Sequence, residues 1–390
     1  MLQLSVIIVS YNVRHYLHQC LSSVEQAAAN IEHEIFVVDN NSSDGSIEFL
    51  QPLHPAVRYI WNKENVGFAR ANNQAIAKAR GKYILLLNPD TIVTEHTLTD
   101  CIELMESRPD AGALGVRMLN ADGTFAPESR RSIPTPFTAF CKMSGLGRLF
   151  PQSRTFGRYY MQYLDARHVN EIEVVSGAFF FTRRSTLKQS GTLDEDFFMY
   201  GEDIDLSYRI LQTGLHNLYL PTPILHYKGE STHESTYRYV RTFYEAMLIF
   251  FRKHFSHYNL LVSLPIKAAI FLKGIFSYFN LQLNKNFDND RATLRQLQRN
   301  TYAYLTPDDA EGYEAVRTLL ASNGITLQPY GTQDAELLVY NAERSSYAEM
   351  LQRLEHPANP KRRNWLVTWH PTTQALITSI RVLVPLPERG

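Results

Sequence analysis

The sequence predicts an α/β protein built on a mostly parallel sheet with flanking helices. Short apolar, β-branched runs recur at 4–10 (LSVIIVS), 35–39 (IFVVD) and 83–87 (YILLL). Continuous apolar runs of that length suit strands buried on both faces. Helical spacing fills the intervals: residues 14–28 set Leu17, Leu21 and Val24 on one face, and residues 65–79 set Val66, Ala69, Asn73 and Ile76 at helical steps. Strand, helix, strand, helix, strand is the βαβ pattern of a parallel sheet with right-handed crossovers.

A second block runs from about 111 to 230. A strand is expected at 173–182 (EVVSGAFFFT), a helix near 204–213 ending at Gly214, and short strands near 215–220 and 224–228. Glycine suits the left-handed position after a helix. A further helix is expected over 94–107, and residues 127–160, with scattered Pro, Gly, Arg and Ser and no clean period, read as a long loop. From Ala246 to Phe287 there is no acidic residue, while Arg252, Lys253, Lys267, Lys273 and Lys285 are basic. Its centre, 258–280, is apolar and aromatic but is broken by two lysines, Pro265 and Gly274. That falls short of the roughly 20 apolar residues of a spanning helix. It reads as a basic amphipathic helix on an anionic leaflet, with packing on the main domain as the plainer alternative. Beyond it, ELLVYN (336–341) and NWLVTW (364–369) flank a helical 344–354, which predicts a small C-terminal α/β module without a chemical motif. The expected organisation is a core over 1–232, a basic helical segment over 233–287 and the module over 288–390.

Composition narrows the function. The 390 residues carry 39 Lys+Arg against 39 Asp+Glu, a formal net charge of zero, which disfavours a dedicated nucleic-acid binder. At 44% hydrophobic and 20% charged the chain is not disordered. Cys20, Cys101 and Cys141 form no CxxC pair, so neither a disulfide scaffold nor a structural zinc site is expected. The opening MLQLSVIIVSYN lacks the basic start and cleavage site of a signal peptide, so a reducing, cytosolic setting is expected.

In open α/β sheets ligands bind outside the carboxyl ends of the strands. The first strand ends at Ser10, Tyr11 and Asn12, and the second at Asp39 and Asn40, followed by Ser43 and Asp44. A tyrosine there can stack on a base, and an aspartate can accept from a base N–H or a ribose hydroxyl. Turn chemistry is the plainer reading and suits Asp44 better than Asp39. In NVGFARANNQAI (65–76), Gly67 permits close approach and Arg70 has the fork that suits a diphosphate. In YILLLNPDT, Asn88-Pro89-Asp90 delivers an acid to the same edge. Magnesium takes one or two carboxylates plus substrate phosphates, whereas a helix cap is the alternative for Asp90. In LDEDFFMYGEDIDLSYR (193–209), Glu202, Asp203 and Asp205 open a helix. One acid serves as a cap, but three exceed that need, and a carboxylate desolvated against aromatics becomes a better general base. His226, just after a strand in ILHYKGEST, is either a metal ligand or a structural histidine.

Taken together, SVIIVSYN, VVDNNSSDGS, NVGFARANN, LLLNPDT, SGAFFFTRR, LDEDFFMYGEDIDLSYR and ILHYKGEST resemble family-two glycosyltransferases of the GT-A fold, over about residues 4–232. The nearest resemblance is to the rhamnosyltransferase-like branch that builds bacterial surface polysaccharides, including O-antigen. The resemblance implies an inverting enzyme that moves one sugar from a nucleotide-sugar donor to a hydroxyl of a saccharide or polyprenyl-linked saccharide, with Mg²⁺ or Mn²⁺. It implies a cytoplasmic protein, peripheral at the inner face of the cytoplasmic membrane. By position it assigns Tyr11, Asp39, Asn40, Asp44, Arg70 and Asn88 to the nucleotide sugar, Asp90 and His226 to the metal, and Asp203 to the general base. Ser176, Gly177, Glu202 and Arg131 fall to the acceptor side. Arg130 and Arg131 are expected either to meet a lipid-linked diphosphate or to be a solvated charge pair.

Two departures matter. The DxD position reads Asn88-Pro89-Asp90, so the first carboxylate is missing, and the QxxRW motif of processive synthases is absent, which implies single addition. A dehydrogenase would need G-x-G-x-x-G after the first strand, where this chain has SYNVRH. The remaining alternative is a catalytically inactive sugar-nucleotide-binding or scaffold protein. Retention of Asp90 and Asp203 weighs against it.

Overall fold

A computed structural model describes residues 2–228, 236–255, 289–329, 332, 335–356 and 365–385. The first unit runs β1 (Leu4–Ser10), α1 (Arg14–Ala27), β2 (His33–Asp39), α2 (Ser46–Leu50), β3 (Arg58–Trp61), α3 (Phe68–Ile76), β4 (Tyr83–Leu87), β5 (Thr91–Val93) and α4 (Thr97–Ser107). It continues through β6 (Ala111–Leu119), α5 (Pro136–Met143), α6 (Leu146–Leu149), β7 (Asn170–Ile172), β8 (Phe179–Arg183), α7 (Arg184–Ser190), α8 (Glu202–Gln212), β9 (His216–His226) and α9 (Thr236–His254). Its nine strands form one sheet ordered β3-β2-β1-β4-β8-β6-β9-β5, with β7 paired to β9.

Alternation of side chains explains the apolar runs. Leu4, Val6 and Ile8 of β1 join Leu17, Leu21 and Val24 of α1 in one core. Ile7 and Val9 face the other way and join Ala69, Ala71 and Ala75 of α3 with Leu206 and Ile210 of α8. Both β2 and β4 split in the same manner, with Ile35, Val37, Leu85 and Leu87 on the first side and Phe36, Val38, Ile84 and Leu86 on the second. Covered on both faces, these strands have no polar side to show in the sequence.

The structure corrects several expectations. Of the strand expected at 173–182, only Phe179–Arg183 is strand; Ser176–Ala178 turn instead, and the Gly177 N–H donates to Asp203 Oδ2 at 2.9 Å. The two short strands expected at 215–220 and 224–228 are the single β9, whose Pro221 and Pro223 sit at a register shift against β6. The long loop expected at 127–160 contains α5 and α6. Pro136 opens α5, and the Thr135 hydroxyl caps it by accepting from the Thr138 N–H. The helix expected from residue 65 starts at Phe68, because Asn65-Val66-Gly67 form a turn in which the Gly67 N–H donates to Asn65 Oδ1 at 3.0 Å.

Residues 302–383 build a second sheet from β10 (Tyr302–Tyr304), β11 (Leu337–Asn341), β12 (Leu366–His370), β13 (Ala375–Ile377) and β14 (Val382–Leu383), in that order. The first three strands are parallel and the last two antiparallel. Around them lie α10 (Asn289–Gln298), α11 (Ala310–Ser322) and α12 (Tyr347–Glu355). The two units share a core in which Val13, Tyr16, Leu225 and Tyr227 meet Tyr347, Met350, Leu351 and Ile377. The joint also has a polar latch. The Glu95 carboxylate accepts from the Tyr347 N–H at 2.7 Å and the Ala348 N–H at 3.0 Å, at the positive end of α12. Hydrogen bonds to a charged group contribute about 1.5–3 kcal/mol. Glu95→Ala is therefore expected to lower the melting temperature by several degrees, whereas an unchanged melting temperature would mean that the latch contributes nothing.

The acid-free stretch lies only partly within the described residues. Its first turns belong to α9, where Ala246, Met247, Phe250 and Phe251 pack on Ile133, Val174, Phe197 and Ile204. The centre, 258–280, lies outside the described residues.

Candidate active site

Strand register brings distant segments to one edge. Parallel pairing of β1 with β2 sets Ser10 beside Asp39, and pairing with β4 sets Ile8 beside Leu87, so Tyr11, Asn40 and Asn88 all emerge there. Antiparallel β8 arrives with Phe179 opposite Leu87, and the Asn88 N–H donates to the Ala178 carbonyl at 3.0 Å. Antiparallel β9 pairs His226 with Thr91 of β5, and the Tyr227 N–H donates to the Asp90 carbonyl at 3.0 Å. The N-terminus of α8 closes the far wall. Between these segments lies a cleft of about 520 Å³, bordered by Tyr11, Asn88, Asp90, Ser176, Gly177, Glu202, Asp203 and His226. That is room for a nucleotide-sized ligand.

At one end the Tyr11 ring is exposed. Asp39 is buried behind it. Its Oδ2 accepts from the Ser42 N–H at 2.9 Å, its Oδ1 has no partner, and burial pushes its pKa up. Asn40 borders the cleft, but its amide is used in holding the turn before α3: Nδ2 donates to Asn65 Oδ1 at 2.8 Å and Oδ1 accepts from the Val66 N–H at 3.1 Å. The turn reading wins for Asp44, whose carboxylate accepts from the Arg14 and Ser46 N–H groups and does not border the cleft. Arg70 likewise stands outside. The phase of α3, set by its start at Phe68, turns the exposed guanidinium to Glu195 at 3.1 Å. The expected diphosphate contact by Arg70 is therefore not what this structure places in the cleft.

Toward the middle, Asp90 is 1% exposed. Its Oδ1 lies 3.3 Å from His226 Nε2 yet makes no hydrogen bond, and His226 Nδ1 also lacks a partner. Asn88 Nδ2 is 3.2 Å from the same His226 Nε2. Asp90 does not cap a helix, since His96 holds that position for α4. A buried carboxylate oxygen with no donor, beside an imidazole, fits a hard divalent cation. Among the described residues no group of three or more His, Cys, Asp or Glu could hold a metal. A cation at Asp90 and His226 would thus take its other ligands from phosphate oxygens and water.

The three acids of α8 have separate roles. Gly201 takes the left-handed conformation (φ +87°) as the N-cap, a conformation that suits glycine. Asp203 is therefore not the cap. Its Oδ2 accepts from the Gly177 N–H, its Oδ1 from the Ile204 N–H at 2.8 Å, and its carboxylate pairs with the Arg131 guanidinium. Burial works against the Arg131 charge, but Asp203 more than offsets it and the net shift is upward. Glu202 lies deeper, with Oε2 unpartnered; burial first and the Asp203 charge second carry its pKa far above the carboxylate range. Asp205 is structural, held by Arg209 Nε at 2.8 Å and His254 Nε2 at 2.7 Å.

The raised pKa of Glu202 has a testable sign. The unfolded chain loses this proton at an ordinary carboxylate pH, while the folded protein keeps it, so stability falls as pH rises from the unfolded pKa toward the folded one. Glu202→Gln is expected to flatten that decline, and its melting temperature should gain on the parent as pH rises from 5 to 8. Parallel melting curves across that range would refute the buried neutral acid.

Of the two alternatives for Arg130 and Arg131, the solvated pair does not hold, and only Arg131 of the pair borders the cleft. Arg130 is buried against the rings of Phe125 (5.0 Å) and Tyr219 (5.4 Å), and Arg131 is committed to Asp203. The sequence reading missed Lys142, Tyr159, Tyr160 and the Glu128–Lys228 ion pair, all of which border the cleft. Lys142 Nζ lies 3.8 Å from the Tyr159 ring centroid. Most of these residues come from the segment read as loop, and its mix of aromatic and basic residues was the available signal.

Residues 5–191 match the family described as Glycosyl transferase family 2. These residues form a family 2 glycosyltransferase domain. Asp203 and His226 lie beyond the matched span. The chain is 28% identical over 257 residues to an N-acetylglucosaminyl-diphospho-decaprenol L-rhamnosyltransferase of Mycobacterium tuberculosis, covering 60% of this chain and 82% of that protein. It is 25% identical over 225 residues to the rhamnosyltransferase WbbL of Escherichia coli, covering 55% and 80%. Among solved structures, it is similar to the mannosyltransferase PcManGT from Pyrobaculum calidifontis in complex with GDP-Man and Mn²⁺ (TM-score 0.44, 15% identity, 70% of this chain and 71% of that one). It is also similar to S. aureus TarS 1-349 (TM-score 0.40, 16% identity), spanning 63% of this chain and 65% of that one. The cleft described above opens at the carboxyl edge of the sheet to which the family 2 domain contributes β1 to β8.

Proposed function

We propose that the chain is an inverting glycosyltransferase that moves a single sugar from a nucleotide-sugar donor to a hydroxyl of a saccharide or polyprenyl-linked saccharide in bacterial surface polysaccharide synthesis. The observation that carries this reading is the meeting, across one cleft in a chain with a family 2 domain, of the Asp90–His226 pair, whose Asp90 Oδ1 is buried without a hydrogen bond, with Asp203 at the mouth of α8. The N-acetylglucosaminyl-diphospho-decaprenol L-rhamnosyltransferase of Mycobacterium tuberculosis supports the class of acceptor.

Tyr11 stacks on the base, and the free Oδ1 of Asp39 accepts from the base or ribose. Asp90 and His226 would hold Mg²⁺ or Mn²⁺, which when bound offsets charge on the departing diphosphate. Lys142 is the cleft cation without a carboxylate partner among the described residues, and it takes the electrostatic part first expected of Arg70. Asp203 takes the proton of the acceptor hydroxyl as that oxygen attacks the anomeric carbon from the face opposite the diphosphate. General-base assistance is worth about 10²–10⁴-fold, or roughly 3–5 kcal/mol of barrier. The Gly177 N–H and Arg131 fix the carboxylate in place while Ser176 and Gly177 leave room for the sugar. Glu202, kept neutral, adds no second negative charge beside the base.

The lipid-linked acceptor implies work at the inner face of the cytoplasmic membrane. Among the described residues no helix is long and apolar enough to cross a membrane. Thermal shift with a panel of nucleoside diphosphates, each with and without Mn²⁺, tests the donor site. Binding that stabilises only the folded state raises the melting temperature by mass action. One nucleotide should stabilise selectively and only with metal; no stabilisation by any of them would contradict the reading.

A further inference from the structure

The segment that supplies Lys142 and Tyr159 to the cleft carries a second surface on its outer side. From Ser129 to Leu164 there is no acidic residue, but there are six basic ones: Arg130, Arg131, Lys142, Arg148, Arg154 and Arg158. Helix α5 turns its aromatic residues outward. Thr138 and Cys141 are buried, whereas Phe137 and Phe140 are 52% and 57% exposed. Helix α6, which packs against α5, continues the pattern with Leu149 at 72% and Phe150 at 52%. Phe156 closes on Phe150, with ring centroids 5.7 Å apart. Of the ten exposed large hydrophobic residues among the described residues, five lie within 137–156, so they are clustered and not scattered. Single exposed apolar residues are ordinary; a cluster of this kind marks a binding surface.

We infer that the outer face of α5 and α6 docks on an anionic lipid leaflet. Charge decides among the possible occupants. Arg148 and Arg154 are exposed and have no carboxylate partner among the described residues, and no acid in the segment offsets them. Aromatic and leucine side chains that enter the interface, flanked by Arg148 and Arg154 to meet anionic headgroups, are the pattern of a membrane-surface element. A second copy of the chain, with 39 basic and 39 acidic residues, offers no net negative charge to draw these arginines. The location also has a consequence for the site. The same segment borders the cleft through Lys142, Tyr159 and Tyr160, so a docked chain holds that side of the cleft next to the leaflet, where a lipid-linked acceptor would be presented. The purpose of docking rests on the proposed function, but the docking chemistry does not.

The test is flotation of the full chain with vesicles of phosphatidylglycerol and phosphatidylcholine, against vesicles of phosphatidylcholine alone. The parent should float with the anionic vesicles only. The triple variant Phe137→Ser, Phe140→Ser, Leu149→Ser should lose at least about tenfold in vesicle affinity. The pair Arg148→Gln, Arg154→Gln should lose a comparable factor at low salt and less at high salt, because screening removes the term they supply. None of these residues borders the cleft, so nucleotide-induced thermal shift should be unchanged and serves as the check on folding. Three results would overturn the inference: a parent that does not float, equal binding to neutral vesicles, or triple and pair variants that float like the parent. A triple variant that turns a dimer into a monomer by light scattering with no change in flotation would also overturn it, assigning the face to a second copy. Flotation as expected, with no nucleotide binding, would leave the surface standing and remove the proposed function instead.

Discussion

Asp203→Asn is expected to lower kcat by about two or more orders of magnitude and to leave nucleotide affinity nearly unchanged. The side chain keeps its shape and its acceptor oxygen for the Gly177 N–H, but loses the capacity to take a proton. The structure adds a complication that a separate variant resolves. Asp203 also balances Arg131, and both side chains are largely buried. Removing one partner of a buried pair costs about 3–5 kcal/mol, so Asp203→Asn should also melt earlier. Combining it with Arg131→Gln should recover much of that stability. If Asp203 acts only through the ion pair, the double variant also recovers turnover. If Asp203 is the base, stability returns and turnover does not.

The second large effect concerns the metal. Asp90→Asn should raise the dissociation constant for the nucleotide by more than about tenfold, or ~1.4 kcal/mol, when Mg²⁺ or Mn²⁺ is present. In excess chelator the parent and the variant should bind alike and weakly, and the parent should be inactive until metal is restored. His226→Ala should follow the same pattern, because its Nε2 shares the position with Asp90 Oδ1. Full transfer activity in excess chelator would remove the cation from the mechanism.

What could be read in the sequence, and what could not, follows from the range of the interactions. The strands Leu4–Ser10 and Tyr83–Leu87 were legible to the residue because they are buried on both faces and so uniformly apolar. Strand β6 (AGALGVRML) was not. Its glycines reflect packing by distant residues: a Cβ on Gly112 would meet Ile210, and one on Gly115 would meet Val175. The acids were legible by their crowding at the start of α8, and their division of labour was not. Asp205 is claimed by His254, 49 residues away, and Asp203 by Arg131, 72 residues away. Arg70 was misplaced for a local reason, since the turn at Gly67 shifts the helix start to Phe68 and with it the direction of every side chain on α3. In the C-terminal unit β11, β12 and α12 were visible by pattern, whereas the short β10, β13 and β14 were not. Docking of the unit through Glu95 and Tyr347 depends on a contact 252 residues apart, beyond the reach of any local signal.

Release of nucleoside diphosphate from a panel of nucleotide sugars tests the central claim most directly, measured with and without a polyprenyl diphosphate-linked saccharide acceptor, on the parent and on Asp203→Asn. One nucleotide sugar should give release that depends on acceptor and is lost in chelator. Asp203→Asn should bind that donor normally and release less than about a hundredth as much. A parent that binds a nucleotide sugar but releases nothing with any acceptor, or a folded Asp203→Asn variant that turns over at more than about a tenth of the parent rate, would contradict transfer by this site and favour a sugar-nucleotide-binding protein without activity.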